Sequence, residues 1–376
     1  MELDLNKFLY ACLVLLLVGC ADDPGLDELV FPDTGINTNA TLADERAASE
    51  ALQLRNELVE VRKAGVAFGH QDGTAYGFNW THSGFPSDSD VLRVAGDYPA
   101  VLGFDLGKIE RGNGENINSL RFTLMKELIK EAHEAGSVIT LSWHADNPIT
   151  GRSSWDINGE PNRILEGGDS HNRLENYLKR VAEFMHDLED SEGNPIPVIF
   201  RPWHEMNGVW FWWGSSLFTP EEYQSLYRST VDILTGTYDV HNVLFAYSPN
   251  CALSREDYLL YYPGDDYVDV LGVDVYDFLD GSYVDIARTS LSTISILGNE
   301  RNKPYAFTET GLENVVEANW WTNKLYPVLK GSGAAFTLVW RNDRSVHWFA
   351  PFEGHPSADD FREFVALPDI LLQGDL

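Results

Sequence analysis

Two kinds of apolar segment alternate along most of the chain. Continuously apolar runs recur at residues 65–69, 100–106, 137–144, 197–204, 243–248, 270–276, 305–309 and 335–340. Runs that are apolar throughout, rather than at every second position, are typical of a parallel sheet covered by helices. Between several of them, apolar residues recur with a helical period, at 118–135, 174–188 and 219–234. The last of these opens with Thr219, Pro220 and Glu222, which predict a capping box.

Eight strands that alternate with helices in a chain of 376 residues predict an α/β fold, a (β/α)8 TIM barrel in a single domain. A doubly wound open sheet is the competing architecture, and it should carry a glycine-rich phosphate loop after its first strand. The segment Gly69-His-Gln-Asp-Gly73 lacks the spacing of such a loop. We therefore expect the barrel.

Functional side chains cluster at the carboxyl ends of the predicted strands. The residues at or just beyond these ends are Asp105, His144, Glu205, Asn250, Tyr276, Glu309 and Trp340. In a (β/α)8 barrel these ends meet at one mouth, where such folds place their chemistry. The sequence therefore predicts one site to which most strands contribute.

The segment from Arg201 to Gly214 places an acid among aromatic rings. It reads Arg-Pro-Trp-His-Glu-Met-Asn-Gly-Val-Trp-Phe-Trp-Trp-Gly, with Glu205 amid five bulky aromatic side chains. Indole faces stack on the C–H faces of a sugar ring, and apolar surroundings raise the pKa of a carboxyl so that it holds a proton near neutrality. The alternative explanation is a structural core acid paired with Arg201.

A second acid, Glu309, ends the seventh run. Two carboxyls delivered by the fourth and seventh strands would face each other across the barrel mouth. Glycoside hydrolysis needs such a pair, one carboxyl to protonate the leaving oxygen and the other to attack the anomeric carbon or to activate water. A separation of about 5–5.5 Å between them would indicate retention of configuration and about 6.5–9.5 Å inversion.

The net charge and the motifs limit the classes of ligand that the protein is expected to bind. Asp and Glu number 58 against 27 Lys and Arg, and the net charge of −31 disfavours nucleic acids and anionic lipid surfaces. We therefore expect an uncharged or cationic substrate. His204-Glu-Met-Asn207 is not the His-Glu-x-x-His pattern of a zinc helix, so we expect neither a metal nor another cofactor.

The amino terminus has the pattern of an exported lipoprotein. An apolar run at 8–18 is followed by Leu17-Val-Gly-Cys20, which resembles the lipobox of bacterial lipoproteins. We interpret residues 1–19 as a signal peptide, 20–42 as the lipidated Cys20 with a flexible linker, and 43–376 as the catalytic domain. The protein would then be anchored to the outer membrane, at the cell surface or on the periplasmic face.

The segment Arg201-Pro-Trp-His204-Glu205-Met-Asn-Gly208, with its aromatic run behind it, resembles the acid/base signature of glycoside hydrolase family 26. The best-known members are endo-β-1,4-mannanases, and the resemblance extends over about residues 65–345. Most of the wider clan has Asn where this chain has His204. The resemblance implies Glu205 as acid/base, Glu309 as nucleophile, retention by double displacement, and β-mannan or manno-oligosaccharides as substrate.

The resemblance also implies the binding residues on the glycone side. Ser142-Trp-His144-Ala-Asp-Asn-Pro148 is similar to the family's third-strand segment, in which the His hydrogen-bonds the sugar at the cleavage site. Trp340 would lie beneath the reacting sugar and Arg341 at the next ring, while Trp155 would stack further out.

Further roles follow from the same resemblance. In Gly272-Val-Asp274-Val-Tyr276, the Tyr would orient the nucleophile and the Asp would support the site. Trp210 would line the leaving-group side, and His204 is expected to contact substrate. Trp203, Phe211 and Trp213 are expected to pack beneath the site, because neighbouring residues in a strand or tight loop cannot all face one ligand.

Two alternatives to a mannanase remain open. The same apparatus could cleave another neutral β-glycan, β-1,3-xylan or mixed-linkage glucan, since family 26 contains both activities. A non-catalytic glycan-binding lipoprotein is disfavoured, because a binder has no need of paired acids. We expect the protein to be monomeric.

Overall fold

The computed structural model of the protein describes residues 31, 35–38 and 40–376. In this part of the chain, parallel strands form a closed barrel: β1 Val66–Gln71, β2 Val101–Asp105, β3 Val138–Trp143, β4 Val198–Pro202, β5 Val243–Tyr247, β6 Val270–Asp277, β7 Tyr305–Leu312 and β8 Phe336–Val339. Strands pair in chain order, and β8 pairs with β1 to close the barrel. A short strand β9, Ile370–Leu371, adds to the start of β1. The predicted (β/α)8 fold is confirmed.

Helices connect the strands on the outside. They are α1 Ser49–Ala64, α2 Asp90–Ala95, α3 Phe122–Glu134, α4 His171–His186, α5 Pro220–Asp232, α6 Arg255–Leu259, α7 Tyr283–Arg301, α8 Tyr326–Leu329 and α9 Ala358–Val365. The predicted capping box is present, because Thr219 Oγ1 accepts from the Glu222 amide at 3.2 Å and Glu222 Oε2 accepts from the Thr219 amide at 2.9 Å. Helix α5 continues into a π-helical turn, Ile233–Thr237.

Helix α3 begins four residues later than the predicted residue 118. The side chain of Asn116 explains the difference, since its Oδ1 accepts from the amides of Asn118 and Leu120, both at 2.9 Å. These bonds hold residues 116–120 in a turn, which competes with the helix for the same backbone donors.

The core has two layers. Side chains that point into the barrel form one apolar cluster together with Leu54 and Leu58 of α1, so that α1 closes the amino-terminal end of the barrel. Alternate side chains of the strands, such as Phe68 and Phe104, point outward and pack against the surrounding helices. Both faces of each strand are thus buried, which is why the strands are apolar throughout.

Strand β7 contains a bulge at the functional end. Val273 of β6 pairs with Phe307 of β7, whereas the next residue, Asp274, pairs with Glu309, so Thr308 is an extra residue. A bulge re-aims the side chain that follows it. Glu309 therefore lies within β7 rather than at its end, yet belongs to the barrel mouth.

The described residues before α1 lie on the amino-terminal face of the barrel. Ile36 and Leu42 are buried, the Asn37 amide donates to Asn302 Oδ1 at 2.8 Å, and the Ala43 amide donates to Asp269 Oδ1 at 2.7 Å. Cys20, the predicted signal peptide and most of the predicted linker lie outside the described residues. Within the described part of the chain, none of the helices combines the length and the apolar character needed to cross a membrane.

Candidate active site

Glu205 lies three residues beyond β4, in a tight turn. Trp203 and Glu205 both have φ of 55°, in the left-handed region that non-glycine residues rarely adopt. The Glu205 amide donates to the carbonyl of Ser248, after β5, at 2.8 Å, which anchors the turn. Backbone strain of this kind is typical of functional sites.

The Glu205 carboxyl is buried and bound by two side chains. Trp210 Nε1 donates to Oε2 at 2.8 Å, and Asn250 Nδ2 donates to Oε1 at 3.3 Å. Burial raises the pKa of Glu205 well above its usual value, and the nearby Glu309 and Asp274 raise it further. The pKa of this carboxyl is thus shifted in the direction that a general acid requires.

Glu309 has a different environment. Arg201 Nη2 donates to its Oε2, and the Tyr276 hydroxyl donates to its Oε1 at 2.6 Å. Burial and the proximity of Glu309 raise the pKa of Tyr276 well above its usual value, so the hydroxyl keeps its proton and acts as a donor. An arginine and a tyrosine thus fix the orientation of this carboxyl from both sides.

Arg201 links the two acids of β6 and β7 beneath the site. Its Nη1 donates to Asp274 Oδ2 at 2.7 Å and to Ser248 Oγ at 3.1 Å. Although burial alone would lower the pKa of Arg201, Asp274 and Glu309 raise it, so the group stays charged. The alternative in which Arg201 pairs with Glu205 is not observed, because its hydrogen bonds go to these other partners.

Asp274 is held as well by Thr308, the bulge residue, whose Oγ1 donates to Oδ1 at 2.7 Å. Burial and Glu309 raise the pKa of Asp274, against the opposing effect of Arg201. We did not anticipate the role of Arg201 from the sequence. A signal existed: Ile199 faces the barrel interior, and strand alternation places Arg201 on the same side.

His144 follows β3 and is fixed by Asp105 at the end of β2. The distance from His144 Nδ1 to Asp105 Oδ2 is 2.6 Å, and Asp105 also accepts from Ser142 Oγ and the Gly107 amide, each at 2.7 Å. Burial would raise the pKa of Asp105, but His144 and these donors lower it to about 2. Because Nδ1 is engaged, Nε2 is the ring nitrogen left for a ligand.

His204 precedes Glu205 and is buried beside His144, with ring centroids 4.8 Å apart. Burial, Arg201 and His144 lower the pKa of His204 well below its usual value, so the ring is neutral. Among the described residues, its Nδ1 has no hydrogen-bond partner. This nitrogen is itself buried, so the ring lies inside the protein beside His144 rather than open to a ligand.

Two partly exposed indoles adjoin His144. The Trp155 ring stacks on His144 with centroids 5.7 Å apart, and the Trp340 ring lies at 6.0 Å. Trp155 is thus in direct ring contact with His144. Arg341 follows Trp340, and its Nη1 lies 3.2 Å from Asp343 Oδ2. Burial lowers the pKa of Arg341, but Tyr76, Asp343 and Asp72 raise it by more.

The aromatic residues predicted to pack beneath the site are buried. Phe211 stacks on Trp213 at 4.4 Å, and Trp213 Nε1 donates to the His204 carbonyl at 2.7 Å. Trp203 Nε1 donates to Thr230 Oγ1 at 3.0 Å. Among the described residues, no group of three or more His, Cys, Asp and Glu side chains is arranged to hold a metal ion.

A closed barrel that presents a glutamate of raised pKa after β4 and an arginine-bound glutamate on β7, beside partly exposed indoles, defines a glycoside hydrolase. Sequence comparison agrees, since the family model for glycosyl hydrolase family 26 matches residues 43–299. The chain belongs to glycosyl hydrolase family 26.

Individual relatives carry mannanase names. A mannan endo-1,4-beta-mannosidase of Bifidobacterium adolescentis is 35% identical over 285 residues, which are 73% of this chain and 28% of that protein. One of Bacillus subtilis is 29% identical over 317 residues, 81% of each chain. A solved structure of a GH26 beta-mannanase from Bacteroides ovatus is 43% identical with a TM-score of 0.84, covering 87% of this chain and 96% of that one. The chain thus spans under a third of the Bifidobacterium relative, but most of the other two.

Proposed function

We propose that this protein is a retaining endo-β-1,4-mannanase that hydrolyses mannan, galactomannan or glucomannan. The observation that carries the proposal is the contrast between two buried carboxyls at one mouth: burial raises the pKa of Glu205, while Glu309 is bound by Arg201 and Tyr276. Such a division of roles is what double displacement needs. Family membership and the names of the relatives favour β-1,4-mannan as the substrate.

In the first step, an oxygen of Glu309 attacks the anomeric carbon while Glu205 gives its proton to the departing glycosidic oxygen. A glycosyl ester on Glu309 forms and the aglycone leaves. Glu205, now ionised, takes a proton from water, whose oxygen attacks the same carbon and releases Glu309. Two inversions give net retention, and both carboxyls return to their starting protonation states.

The surrounding residues would hold the glycan. His144, fixed by Asp105 through Nδ1, would bind a hydroxyl of the sugar at the cleavage point through Nε2. Trp340 would stack against that sugar, with Trp155 beside it and Arg341 at the next ring.

Trp210 would serve two purposes on the leaving-group side. Its ring would line the aglycone position, and its indole N–H binds the Glu205 carboxyl. His204 would support the site through its contact with the ring of His144, and Asp274 and Tyr276 would act by orienting Arg201 and Glu309.

We further propose that the protein is an outer-membrane lipoprotein, acylated at Cys20. The described residues nearest the amino terminus run across the face of the barrel opposite the catalytic mouth, where Asn37 contacts Asn302 and Ala43 contacts Asp269. A tether leaving from that face would direct the cleft away from the membrane. Metabolic labelling with a palmitate analogue tests the anchor, since Cys20→Ala should abolish incorporation and release the enzyme from the membrane fraction.

Substrate choice is tested by reducing-sugar release from linear mannan, β-1,3-xylan and barley β-glucan by residues 31–376. We expect rapid release from mannan, with a mixture of oligosaccharides from the first minutes. Equal or faster release from xylan or glucan would replace the proposed substrate, and binding without any release would favour a glycan-capture protein.

The mechanism is tested by two variants and by product stereochemistry. Glu309→Ala and Glu205→Ala should each lower kcat by about three or more orders of magnitude on mannan without loss of fold. On an aryl mannoside with a good leaving group, Glu205→Ala should lose much less, because such a group needs little proton transfer. Proton NMR of the first products should show the β-anomer; an initial α-anomer would exclude double displacement.

A further inference from the structure

A third buried glutamate, Glu110, lies near the site but has no part in the proposed chemistry. It belongs to a 3-10 turn, Ile109–Arg111, that follows β2. Its Oε1 accepts from the backbone amide of Asp146 at 2.6 Å, and its Oε2 accepts from Trp143 Nε1 at 3.2 Å. The two donors lie on either side of His144 in the chain. One carboxyl therefore holds the segment 143–146 at both ends.

The neighbouring contacts hold the same short segment. Arg111, next to Glu110, donates from Nη2 to Asp146 Oδ1 at 2.8 Å. From the other side, Trp212 Nε1 donates to the carbonyl of Ala145 at 3.0 Å. His144 is thus carried by a segment whose flanking residues are fixed by the loops after β2 and β4, while Asp105 is hydrogen-bonded to its ring.

We propose that Glu110 is a positioning residue that sets the placement of His144, and with it the stacked ring of Trp155, at the cleavage point. The inference rests on the proposed glycoside hydrolysis, in which His144 contacts the reacting sugar. Glu110 itself is 6% exposed, and both of its oxygens are bound by protein donors, so it acts through His144 rather than on substrate.

The charged and titratable groups that face Glu110 come from three elements. Asp146 and Arg111 lie on the flanking loops, and Tyr177 comes from α4. Burial raises the pKa of Glu110 to about 7, while the Asp146 amide and Trp143 oppose the shift. A glutamine at this position keeps the shape of the side chain but has only one accepting oxygen, so Glu110→Gln loses one of the two bonds, from the Asp146 amide or from Trp143 Nε1.

A double-mutant cycle tests the proposal, with the full chain and with mannopentaose as the substrate. We expect Glu110→Gln to lower kcat/KM about tenfold or more, as small displacements of a sugar-binding group do. In a His144→Ala background the same substitution should change kcat/KM less than about twofold, because a residue that acts through His144 has nothing left to position.

Asp269 provides the matched control. Like Glu110, it is buried and each of its oxygens accepts from an N–H group. The donors are the backbone amides of Ala43 at 2.7 Å and Phe245 at 2.8 Å. Burial raises the pKa of Asp269 too, but this residue lies at the opposite end of the barrel. Asp269→Asn should lower thermal stability while leaving kcat/KM unchanged.

The kinetics and the stability of these variants decide whether Glu110 positions His144. Non-additivity of Glu110→Gln with His144→Ala supports the positioning role. Equal effects of Glu110→Gln in both backgrounds, or a loss of stability without a kinetic effect, as for Asp269→Asn, overturn it. If Glu110→Gln does not fold, Glu110→Asp takes its place in the same cycle. A wild-type chain without glycosidase activity overturns the proposed function and this inference together, whereas an active wild type with additive variants overturns only the inference.

Discussion

The hydrogen bond from Trp210 to Glu205 offers a direct test of how the acid/base is tuned. Trp210→Phe removes the indole N–H that lies 2.8 Å from Glu205 Oε2 and keeps an aromatic ring in place. That N–H stabilises the ionised carboxyl and so opposes the effect of burial, Glu309 and Asp274 on the pKa of Glu205. Its removal should therefore raise the pKa further.

The size of the shift follows from the strength of such a bond. A hydrogen bond to a charged group contributes about 1.5–3 kcal/mol, although part of it persists to the protonated form. Since about 1.4 kcal/mol corresponds to one pKa unit, we expect an increase of about one unit. Asn250 Nδ2, at 3.3 Å, is a longer and weaker donor to the same carboxyl and cannot replace the lost bond.

The assay is the pH dependence of kcat/KM on mannopentaose, whose alkaline limb reports ionisation of the acid/base in the free enzyme. The limb should move to higher pH in Trp210→Phe, whatever happens to the absolute rate. Trp213→Phe is the control, because this buried indole donates to the His204 carbonyl at 2.7 Å and not to Glu205. A limb that stays in place or moves to lower pH in Trp210→Phe would refute our account of the site's electrostatics.

Three stability predictions follow from the same charges. Glu205→Gln should raise Tm at pH 7, because a carboxyl whose pKa is raised on folding destabilises the native state above its unfolded pKa, and an unchanged or lower Tm would contradict this. Arg201→Met should reduce the free energy of unfolding, measured in urea titrations, by about 3–5 kcal/mol, because Glu309 is left buried without its cation. A loss below about 1 kcal/mol would show that the ion pair is dispensable. The pKa of Asp105 is lowered to about 2, so Asp105→Asn should reduce the free energy of unfolding by about 2 kcal/mol at pH 7 and by less as the pH falls towards 2. A loss that does not depend on pH would argue against the pairing with His144.

Local patterns predicted the elements well where local forces decide them. The capping box at Thr219 formed as expected, because its bonds join residues three apart. The start of α3 was misplaced because one side chain, Asn116, binds the backbone that a helix would otherwise use. Strand β7 extends beyond its predicted end at Glu309 because its last residues, up to Leu312, continue to pair with β6 past the bulge.

The placement of the binding residues was only partly foreseeable. The loop that carries Trp155 has no periodic pattern, so its return to His144 could not be deduced from spacing. The second role of Trp210, as a donor to Glu205, was also missed, since a sequence indicates that an indole is near a site but not where its N–H points.

The amino-acid order alone determined that strands and helices alternate, that the strands are buried on both faces, and that Glu205 and Glu309 come from the fourth and seventh of them. These features depend on the period of apolar residues and on short-range propensity. Tertiary structure alone decided which groups make one glutamate an acid and orient the other. Arg201 meets Glu309 across 108 positions of the chain, and Asn250 meets Glu205 across 45, so both contacts exist only because the barrel closes and brings the strand ends to one mouth.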